Sequence, residues 1–571
     1  MKKWLSIILV TVLCFTLALA GCQPQTSGTT GTTTKSGETT KGTTGSTTAS
    51  AGGYQLSAAG ELPIVVGDKA TLKVFYVPSA YVTDMTTNYA TKWFEDKTNV
   101  KVDWMLTSSA DSTEKLSLLL AANAKSDMPD VFLCGISRAV AEAYGVQGVL
   151  MDLSSLINDY GVNMKKLFER NDKLEKQMTA YDGKKYFLFR YYETVHVTNT
   201  QKLWMDMQWL KNLGLQTPKT TDEFYTVLKA FKTEDANGNG DANDEIPFIH
   251  YTDGWMSAFG MSIMNSFVYS PAGDNKLYYE DGKVKVSYAQ DGWKEALRYY
   301  KKLYDEGLMD NECFSMTLDQ AKALGAATTG NRVGCLTGGT EGIHDFADPV
   351  INEFEVIDPL KGPTGLQQAA YELFNPTPFF AISSYCTIPE IAYRWADAQL
   401  YDSSADIAKG DYTWLNLWYG EEGVGWEKAK TGAVGFTGEQ AAYKWLFNWG
   451  ENTNTHWYET FLINMPSTWK PLIAADMGAG YQQEKILYDA TIEHMKPYSV
   501  DKTLPTVSLD EATSVESAEL ETNLITYYKE MEAKFVRGEA DLDKDWDAYL
   551  AELKNIGLDR YLEIYQTAYK P

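Results

Sequence analysis

Strands and helices alternate from residue 70 onward, and this alternation constrains the fold more than any other feature of the chain. The stretch "TLKVFYV" (71–77) predicts a strand, residues 86–99 predict a helix, and "VKVDWML" (100–106) predicts a second strand. A second helix over 114–127 and a third strand over 129–135 follow. Strands that alternate with helices indicate βαβ units and a mostly parallel sheet. The sequence therefore predicts an α/β protein.

The N-terminus predicts an export signal and a lipid anchor. Lys2 and Lys3 precede an apolar run over 5–20, and "LAGC" (19–22) resembles the bacterial lipobox, whose cysteine is acylated, for example with palmitate. The alternative is an ordinary secretory signal in which Cys22 falls by chance. Residues 1–21 are thus predicted to be a signal peptide. Residues 22–53 are almost entirely Thr, Gly, Ser, Gln and Lys, which predicts a lipid-anchored, disordered tether.

Length, charge and cysteine usage limit the possible functions of the remaining chain. A chain of 571 residues is too long for one hydrophobic core, so two or more lobes are expected. A formal net charge of −25 makes the protein poorly suited to nucleic acid or to anionic lipid surfaces. Cys134, Cys313, Cys335 and Cys386 are scattered along the sequence, so that disulfides and buried free thiols both stay open.

The stretch "DANGNGDANDEI" (235–246) predicts a structural calcium loop. Its oxygen-bearing side chains fall largely on alternate residues around Gly240, and Ca²⁺ takes about six to eight oxygen ligands from a flexible chain. The predicted ligands are Asp235, Asn237, Asn239, Asp241, Asn243, Asp244 and Glu245. An EF-hand has Glu at the twelfth position, where this chain has Ile246, and the acidic residues fall instead at Asp244 and Glu245. The alternative is a solvated loop of Asx turns.

Catalytic motifs are absent, whereas residue types that bind sugars recur near the ends of predicted strands. The chain has no GxSxG, HExxH, P-loop or GxGxxG-helix pattern, and its five histidines are far apart. Sugar sites combine aromatic rings with hydrogen-bonding groups, and α/β sheets bind ligands at the carboxyl ends of strands. The predicted ligand-binding residues are Tyr76, Ser79, Tyr81, Arg190, Glu193 and Trp255. For each aromatic residue the alternative is core packing.

Several segments together resemble a known family. "WLKNLGLQTPKTTDEFYTVLKAFK" (209–232), "PEIAYRWADAQLYDSSADIAKGDYTWLNLWYGEEGVGWE" (389–427) and the C-terminal helical stretch 534–570 are similar to the extracellular solute-binding proteins of ABC importers. The likeness is to the carbohydrate-binding branch, which includes maltose- and alginate-oligosaccharide-binding proteins. That family also carries a similar Asp-x-Asn-x-Asn loop that ends in an acidic pair. This chain has one extra residue inside the loop, so it stays open whether Asn243 or Asp244 is the ninth-position ligand.

The resemblance implies a periplasmic-binding-protein-like fold of two α/β lobes joined by a hinge, with the ligand in the cleft between them. Lobe 1 would comprise 62–193 and 379–496, and lobe 2 would comprise 194–378 and 497–571. The "FRYYE" stretch (189–193) would then lie where the chain crosses between the lobes.

The function implied is capture of a carbohydrate, expected to be an oligosaccharide, and its delivery to an ABC permease served by a cytoplasmic ATPase. The protein would act as a monomer, held by lipid at the outer face of the cell membrane, and would not be an enzyme. A cell-surface glycoside hydrolase and a binding protein for a peptide or another non-sugar solute remain alternatives, and the sequence names neither the ligand nor the permease.

Overall fold

The computed structural model of the chain describes residues 50–171, 173–327, 330–345, 348–372, 377–447, 451–457, 461–464, 467–476 and 482–569. The predicted signal peptide and Cys22 lie outside these residues, as does the predicted tether up to residue 49. Ser50–Ala51, near the end of that tether, pair with Tyr54–Leu56 in a short antiparallel hairpin. No helix within the described ranges is long and apolar enough to span a membrane.

The described residues contain short strands and mostly short helices, numbered here in chain order. The strands are β1 Ser50–Ala51, β2 Tyr54–Leu56, β3 Val65–Val66, β4 Ala70–Tyr76, β5 Val100–Leu106, β6 Val131–Leu133, β7 Leu188–Tyr192, β8 Lys202–Asp206, β9 Ile246–Ile249, β10 Leu277–Glu280, β11 Lys283–Val286, β12 Val333–Gly338, β13 Phe354–Val356, β14 Ala369–Ala370, β15 Thr377–Ile382, β16 Trp426–Lys428, β17 Tyr443–Trp445, β18 Ile463–Asn464 and β19 Ser499–Val500. The helices are α1 Tyr89–Thr98, α2 Ser112–Ala122, α3 Arg138–Val146, α4 Ser154–Tyr160, α5 Val162–Arg170, α6 Lys173–Met178, α7 Met207–Leu213, α8 Thr221–Thr233, α9 Asp291–Asp305, α10 Leu318–Gly325, α11 Pro389–Gln399, α12 Ser404–Ile407, α13 Leu415–Trp418, α14 Gln482–Ala490, α15 Glu511–Arg537, α16 Trp546–Ile556 and α17 Leu558–Ala568.

The larger sheet has six strands in the order β18-β7-β15-β6-β4-β5. Strand β4 runs parallel to both β5 and β6, as the alternating pattern predicts. Strand β15 runs antiparallel to β6 and β7, which makes the sheet mixed rather than mostly parallel. The reason is that β15 follows a long excursion of the chain through the second half of the molecule, which local sequence patterns do not reveal. The predicted α/β class is confirmed.

The smaller sheet has four strands in the order β13-β8-β12-β9, and helix α8 packs beside it. The capping box of α8 is formed, because the Thr220 side chain accepts from the Glu223 N–H and the Glu223 carboxylate accepts from the Thr220 N–H. Four apolar residues at helical spacing, Phe224, Val227, Leu228 and Phe231, are buried. Burying side chains of this size stabilises a fold by about 1.5–3 kcal/mol each, which fixes the helix end that leads into the 235–246 loop.

Buried side chains form separate cores around the two sheets. The first core contains residues such as Val74, Phe132 and Trp395, and the second contains residues such as Phe248 and Trp293. A third cluster beside the second sheet includes Trp204 and Ile249 together with Leu487, Ala490 and Met495 from α14 and the turn after it. Helix α14 thus packs with residues of the second predicted lobe, although the predicted boundary lies at residue 496. We refer to the parts around the first and second sheets as the first and second lobe.

Three segments that connect the lobes are joined by hydrogen bonds. The Asn199 side chain donates to the Ala370 carbonyl at 3.0 Å and to the Ser499 hydroxyl at 3.0 Å. Strands β14 and β19 pair in parallel, and the Glu372 N–H donates to the Thr198 carbonyl at 2.7 Å. These bonds hold the three connecting segments side by side.

The four cysteines within the described residues are free and buried. Burial raises the pKa of Cys134 and Cys386 to about 12, so both remain thiols at neutral pH. The structure therefore has buried free thiols at these four positions, where the sequence leaves disulfides open as well.

Candidate functional site

A cavity of about 480 Å³ lies in the first lobe, beyond the carboxyl ends of β4 and β6. Residues after β4 form one wall, residues after β6 form another, and the first turns of α2 close a third side. Arg190 of β7 and Phe379 of β15 complete the lining. The other lining residues are Val77, Pro78, Ser79, Ser109, Ser112, Thr113, Leu116, Ser117, Cys134, Gly135, Ser137 and Val140. This is the edge of the sheet at which α/β proteins bind ligands.

Hydroxyl groups are the commonest polar groups of this cavity. Six lining residues carry one: Ser79, Ser109, Ser112, Thr113, Ser117 and Ser137. Each hydroxyl supplies one donor and two acceptors, so a serine that already accepts one bond can still donate. Ser137, for example, accepts from the Val140 N–H at 3.3 Å as the N-cap of α3. A wall of this kind matches a ligand that itself consists of many hydroxyl groups.

Apolar and cationic groups supplement the hydroxyl wall. Phe379 and Leu116 present carbon surface, and the Arg190 guanidinium lies 4.6 Å from the ring centroid of Tyr192 and 5.6 Å from that of Phe379. The two aromatic rings hold the planar guanidinium by cation–π contact. No carboxylate is among the described residues that line the cavity. The cavity therefore offers hydrogen-bond donors, acceptors and one aromatic face.

Two of the six predicted ligand-binding residues, Ser79 and Arg190, line this cavity. Tyr76 is completely buried at the end of β4, with its ring centroid 5.1 Å from that of Trp104, so core packing occupies its ring. Tyr81 is 42% exposed and its N–H donates to the Ser79 hydroxyl at 3.3 Å. Neither tyrosine is among the lining residues.

Glu193 lies in an ion-pair network. Its carboxylate is 3.0 Å from Nε of Arg170 and accepts from the N–H and hydroxyl of Ser467 at 2.9 and 3.1 Å. Arg170 also contacts Asp402 at 3.1 Å. These contacts give Glu193 a structural task, which is to hold the segment that begins at Ser467 against β7.

Trp255 lies in the second lobe, packed on the loop that follows β12. It is 37% exposed, and its backbone carbonyl accepts from the Gly339 N–H at 2.7 Å. A Cβ at Gly339 would lie 2.3 Å from the indole, so the ring covers that glycine directly. Trp255 is therefore a partly exposed indole that rests on this loop, and a sugar-stacking residue needs a partly exposed aromatic ring.

A buried charged cluster lies beside Trp255. The His196 ring is 6.0 Å from the Trp255 ring, and its Nδ1 lies 3.5 Å from Glu484 Oε1, which also bonds the Lys470 ammonium. Burial lowers the pKa of His196 to about 4, against the opposing Glu484 charge. Burial also opposes the charge of Glu484, but the Lys470 ammonium holds the pKa of Glu484 below its ordinary value. At neutral pH the cluster is therefore a Lys470–Glu484 ion pair beside a neutral imidazole.

The geometry of the 235–246 loop indicates whether its residues fit a calcium ion. Asp235 Oδ1 and Glu245 Oε2 are buried without a hydrogen-bond partner, which is costly for carboxylate oxygens. The side-chain N–H groups of Asn237 and Asn239 donate to the Asp244 carboxylate at 3.1–3.2 Å. The side-chain oxygens of these two asparagines accept from backbone N–H groups within the loop. The two orphaned carboxylate oxygens fit a bound cation, which would supply the missing partner.

The loop fits a mixed ligand set rather than a purely acidic one. Within the described part of the chain, no three His, Cys, Asp or Glu residues come together as a metal site. Ca²⁺ takes amide and backbone carbonyl oxygens as well as carboxylates, so the asparagines would complete the set if the ion were bound. Asn243 and Asp241 bond each other at 3.0 Å, whereas Asp244 lies toward Asn237 and Asn239. Of the two residues left open for the ninth position, Asp244 is thus the one that contacts other predicted ligands from the loop's first half.

Most of the cavity wall is absent from the predicted set. The serines and threonine of "SSADSTEKLS" (108–117) follow β5 and open α2, so the carboxyl-end rule that picked out Ser79 also applied to them. Phe379 offered no comparable signal, because its position depends on β15 entering the sheet beside β6 and β7.

Comparisons with known proteins agree with this architecture. Residues 79–312 match the family model for bacterial extracellular solute-binding proteins. The chain is 26% identical over 505 residues to the fructooligosaccharide ABC transporter substrate-binding protein FusA of Streptococcus pneumoniae serotype 4, covering 83% of this chain and 85% of FusA.

Solved structures extend the agreement to the fold. FusA in complex with kestose is 25% identical, with a TM-score of 0.66 over 87% of this chain and 98% of that one. An EF-hand mutant of FusA in complex with fructo-nystose gives a TM-score of 0.67 at 25% identity over 87% and 98% of the two chains. An extracellular solute-binding protein from Bifidobacterium longum subsp. infantis gives 0.71 at 22% identity, over 88% and 98%, which bears on the fold alone.

Proposed function

We propose that this chain, which belongs to the bacterial extracellular solute-binding proteins, captures a carbohydrate and delivers it to an ABC permease. The cavity beyond β4 and β6 carries the proposal, because its hydroxyl groups, aromatic face and guanidinium match the hydroxyls and C–H faces of a sugar. FusA is named for fructooligosaccharides, so kestose and longer fructooligosaccharides are the first ligands to test.

Capture would proceed by closure of the two lobes. In the first lobe, Ser79 and Arg190 would donate to the sugar. From the second lobe, Trp255 would stack on a sugar ring, and the joined connecting segments would act as the hinge. Ligand that touches both lobes binds the closed form more tightly and shifts the population toward it. Tyr76, Tyr81 and Glu193 remain candidate ligand-binding residues. Tyr76 and Glu193 would act indirectly, by supporting β4 and β7.

The proposal includes a structural Ca²⁺ ion in the second lobe. Asp235, Asn237, Asn239, Asp241 and Glu245 would hold it, with Asp244 or Asn243 completing the set. The orphaned oxygens of Asp235 and Glu245 support this assignment, and the EF-hand named in the FusA mutant structure agrees with it. The ion would close the loop between α8 and β9 and stabilise that lobe.

The proposal also covers location and partners. Cys22 would carry the lipid that holds the protein at the outer face of the cell membrane, with residues 23–49 as a tether. The partners would be permease subunits and, through them, a cytoplasmic ATPase, and the protein would act as a monomer. The order of lipobox, polar segment and solute-binding fold supports this arrangement.

One experiment separates binding from catalysis. Calorimetric titration of the protein with a glycan panel should give saturable binding without product formation, and a reducing-sugar assay on the same mixtures should stay flat. A glycoside hydrolase needs two carboxylates beside the sugar, so product formation in the reducing-sugar assay decides between the two functions. Slow cleavage by the purified protein would favour the hydrolase, and binding of peptides alone would favour a non-sugar solute.

A further inference from the structure

A second cavity, of about 370 Å³, lies between the two lobes and away from the residues discussed so far. One wall consists of Arg138, Lys173, Lys176, Gln177 and Thr179, whose neighbours Leu174 and Met178 belong to the first core. The facing wall consists of residues 505–508 and 568–569, next to second-lobe residues Leu504 and Tyr565. We call this space the basic interlobe cavity.

Three side-chain donors that line the basic interlobe cavity have no hydrogen-bond or ion-pair partner within the described ranges. Lys173 and Lys176 form no ion pair within the described ranges, whereas the neighbouring Lys185 pairs with Glu175 at 3.2 Å. Gln177 is 6% exposed, and its side-chain Nε2 is buried without a hydrogen-bond partner. A buried donor with no acceptor is unfavourable unless a ligand or water supplies one. The lining thus offers two ammonium groups and an unused amide N–H.

Glu142, next to this cavity, already has a cationic partner. Arg138 lies 2.6 Å from Glu142, whose second oxygen accepts from the Ser508 hydroxyl at 2.7 Å. Nη1 and Nη2 of Arg138 each donate as well, to the carbonyls of Gln177 and Thr179. Glu142 is buried and is not among the lining residues. No lining residue within the described part of the chain is a carboxylate, although the whole protein has a formal net charge of −25.

From this arrangement we propose that the basic interlobe cavity binds an oxyanion, either a phosphate-type anion or the carboxylate of an acidic sugar. Lys173 and Lys176 supply the positive charge, and Gln177 supplies the buried amide donor. Charged hydrogen bonds of this kind are about twice as strong as neutral ones.

The test is calorimetric titration of the full chain with inorganic phosphate and, separately, with glucuronate, at constant ionic strength and without any other carbohydrate. Glucose is the neutral control for glucuronate. The wild type should bind at least one of the two anions and not glucose, and the anion that binds identifies the source. The double variant Lys173→Gln with Lys176→Gln should weaken that binding at least about tenfold, and Gln177→Leu should weaken it several-fold.

A matched double variant, Lys409→Gln with Lys430→Gln, removes the same net charge from two exposed lysines elsewhere. It should bind the anion as the wild type does, which separates a local site from a general charge effect. All four lysines are exposed, so thermal melts should show folded proteins. No binding of either anion at millimolar concentration, or equal weakening in both double variants, would overturn the proposal.

Discussion

The contact between Trp255 and Gly339 permits a sharp test of the proposed sugar platform. Gly339 has no special backbone conformation, so alanine is allowed there as far as the backbone is concerned. Its Cβ, however, would come within 2.3 Å of the Trp255 indole. Carbon atoms need about 3.5–4.0 Å between them, so the ring must retreat by more than about 1 Å. Gly339→Ala thus moves the indole without deleting it.

Gly339→Ala should reduce the stability of the fold less than it weakens sugar binding. Trp255 is 37% exposed, so the ring can move toward solvent, and the free energy of unfolding should fall by only about 1 kcal/mol, the low end for overpacking. Sugar stacking depends on the ring position, so binding should weaken about tenfold or more, which corresponds to about 1.4 kcal/mol. Trp255→Ala, which removes the ring, should weaken binding by at least as much.

Calorimetric titration with the best glycan of the panel measures the effect, and thermal melts monitor the fold. Gly273→Ala is the matched control, because a Cβ there would contact nothing closer than Asn275 Oδ1 at 3.4 Å. That variant should bind and melt as the wild type does. If both Gly339→Ala and Trp255→Ala bind the glycan with wild-type affinity, the indole is not part of the site and the reasoning is refuted.

Three further predictions follow from other parts of the chain. Chelation of Ca²⁺ should lower the melting temperature, and Ca²⁺ rather than Mg²⁺ should restore it, because a ligand at about a hundredfold excess over its Kd stabilises the native state by about 2.7 kcal/mol. Asp235→Ala should have a low melting temperature that chelator does not change. An unchanged melting temperature of the wild type in chelator would contradict the bound ion. Cys22→Ala should move the protein from the membrane fraction to the supernatant, and retention in the membrane would contradict the anchor. Because burial holds the pKa of His196 at about 4, below its ordinary value of 6.5, its contribution to stability is complete above that ordinary value and is lost as pH falls toward the lower one. The melting temperature of His196→Gln should therefore fall less than that of the wild type as the pH is lowered from about 6.5 to about 4. An equal fall in both proteins would show that the imidazole does not titrate in this range.

Much of the local structure followed from patterns within short stretches. The strand over 71–77 appears as β4 Ala70–Tyr76, and the second predicted strand matches β5 in full. The capping box at Thr220 forms as expected, because its two partners are three residues apart and need no tertiary contact. The resemblance of longer segments predicted the solute-binding fold, which is confirmed, whereas the lobe boundaries and the predicted site residues remain predictions.

The sequence by itself determined the α/β class, the start of α8 and the composition of the 235–246 loop, because each depends on periodicity or spacing over a few residues. Only the tertiary structure decided which residues meet around the cavity. Phe379 reaches it because β15 returns antiparallel between β6 and β7, and Glu193 is occupied by Arg170 and Ser467 from distant segments. Contacts between residues hundreds of positions apart depend on how the chain closes its long connections, and no local pattern of polar and apolar residues records which partners those connections bring together.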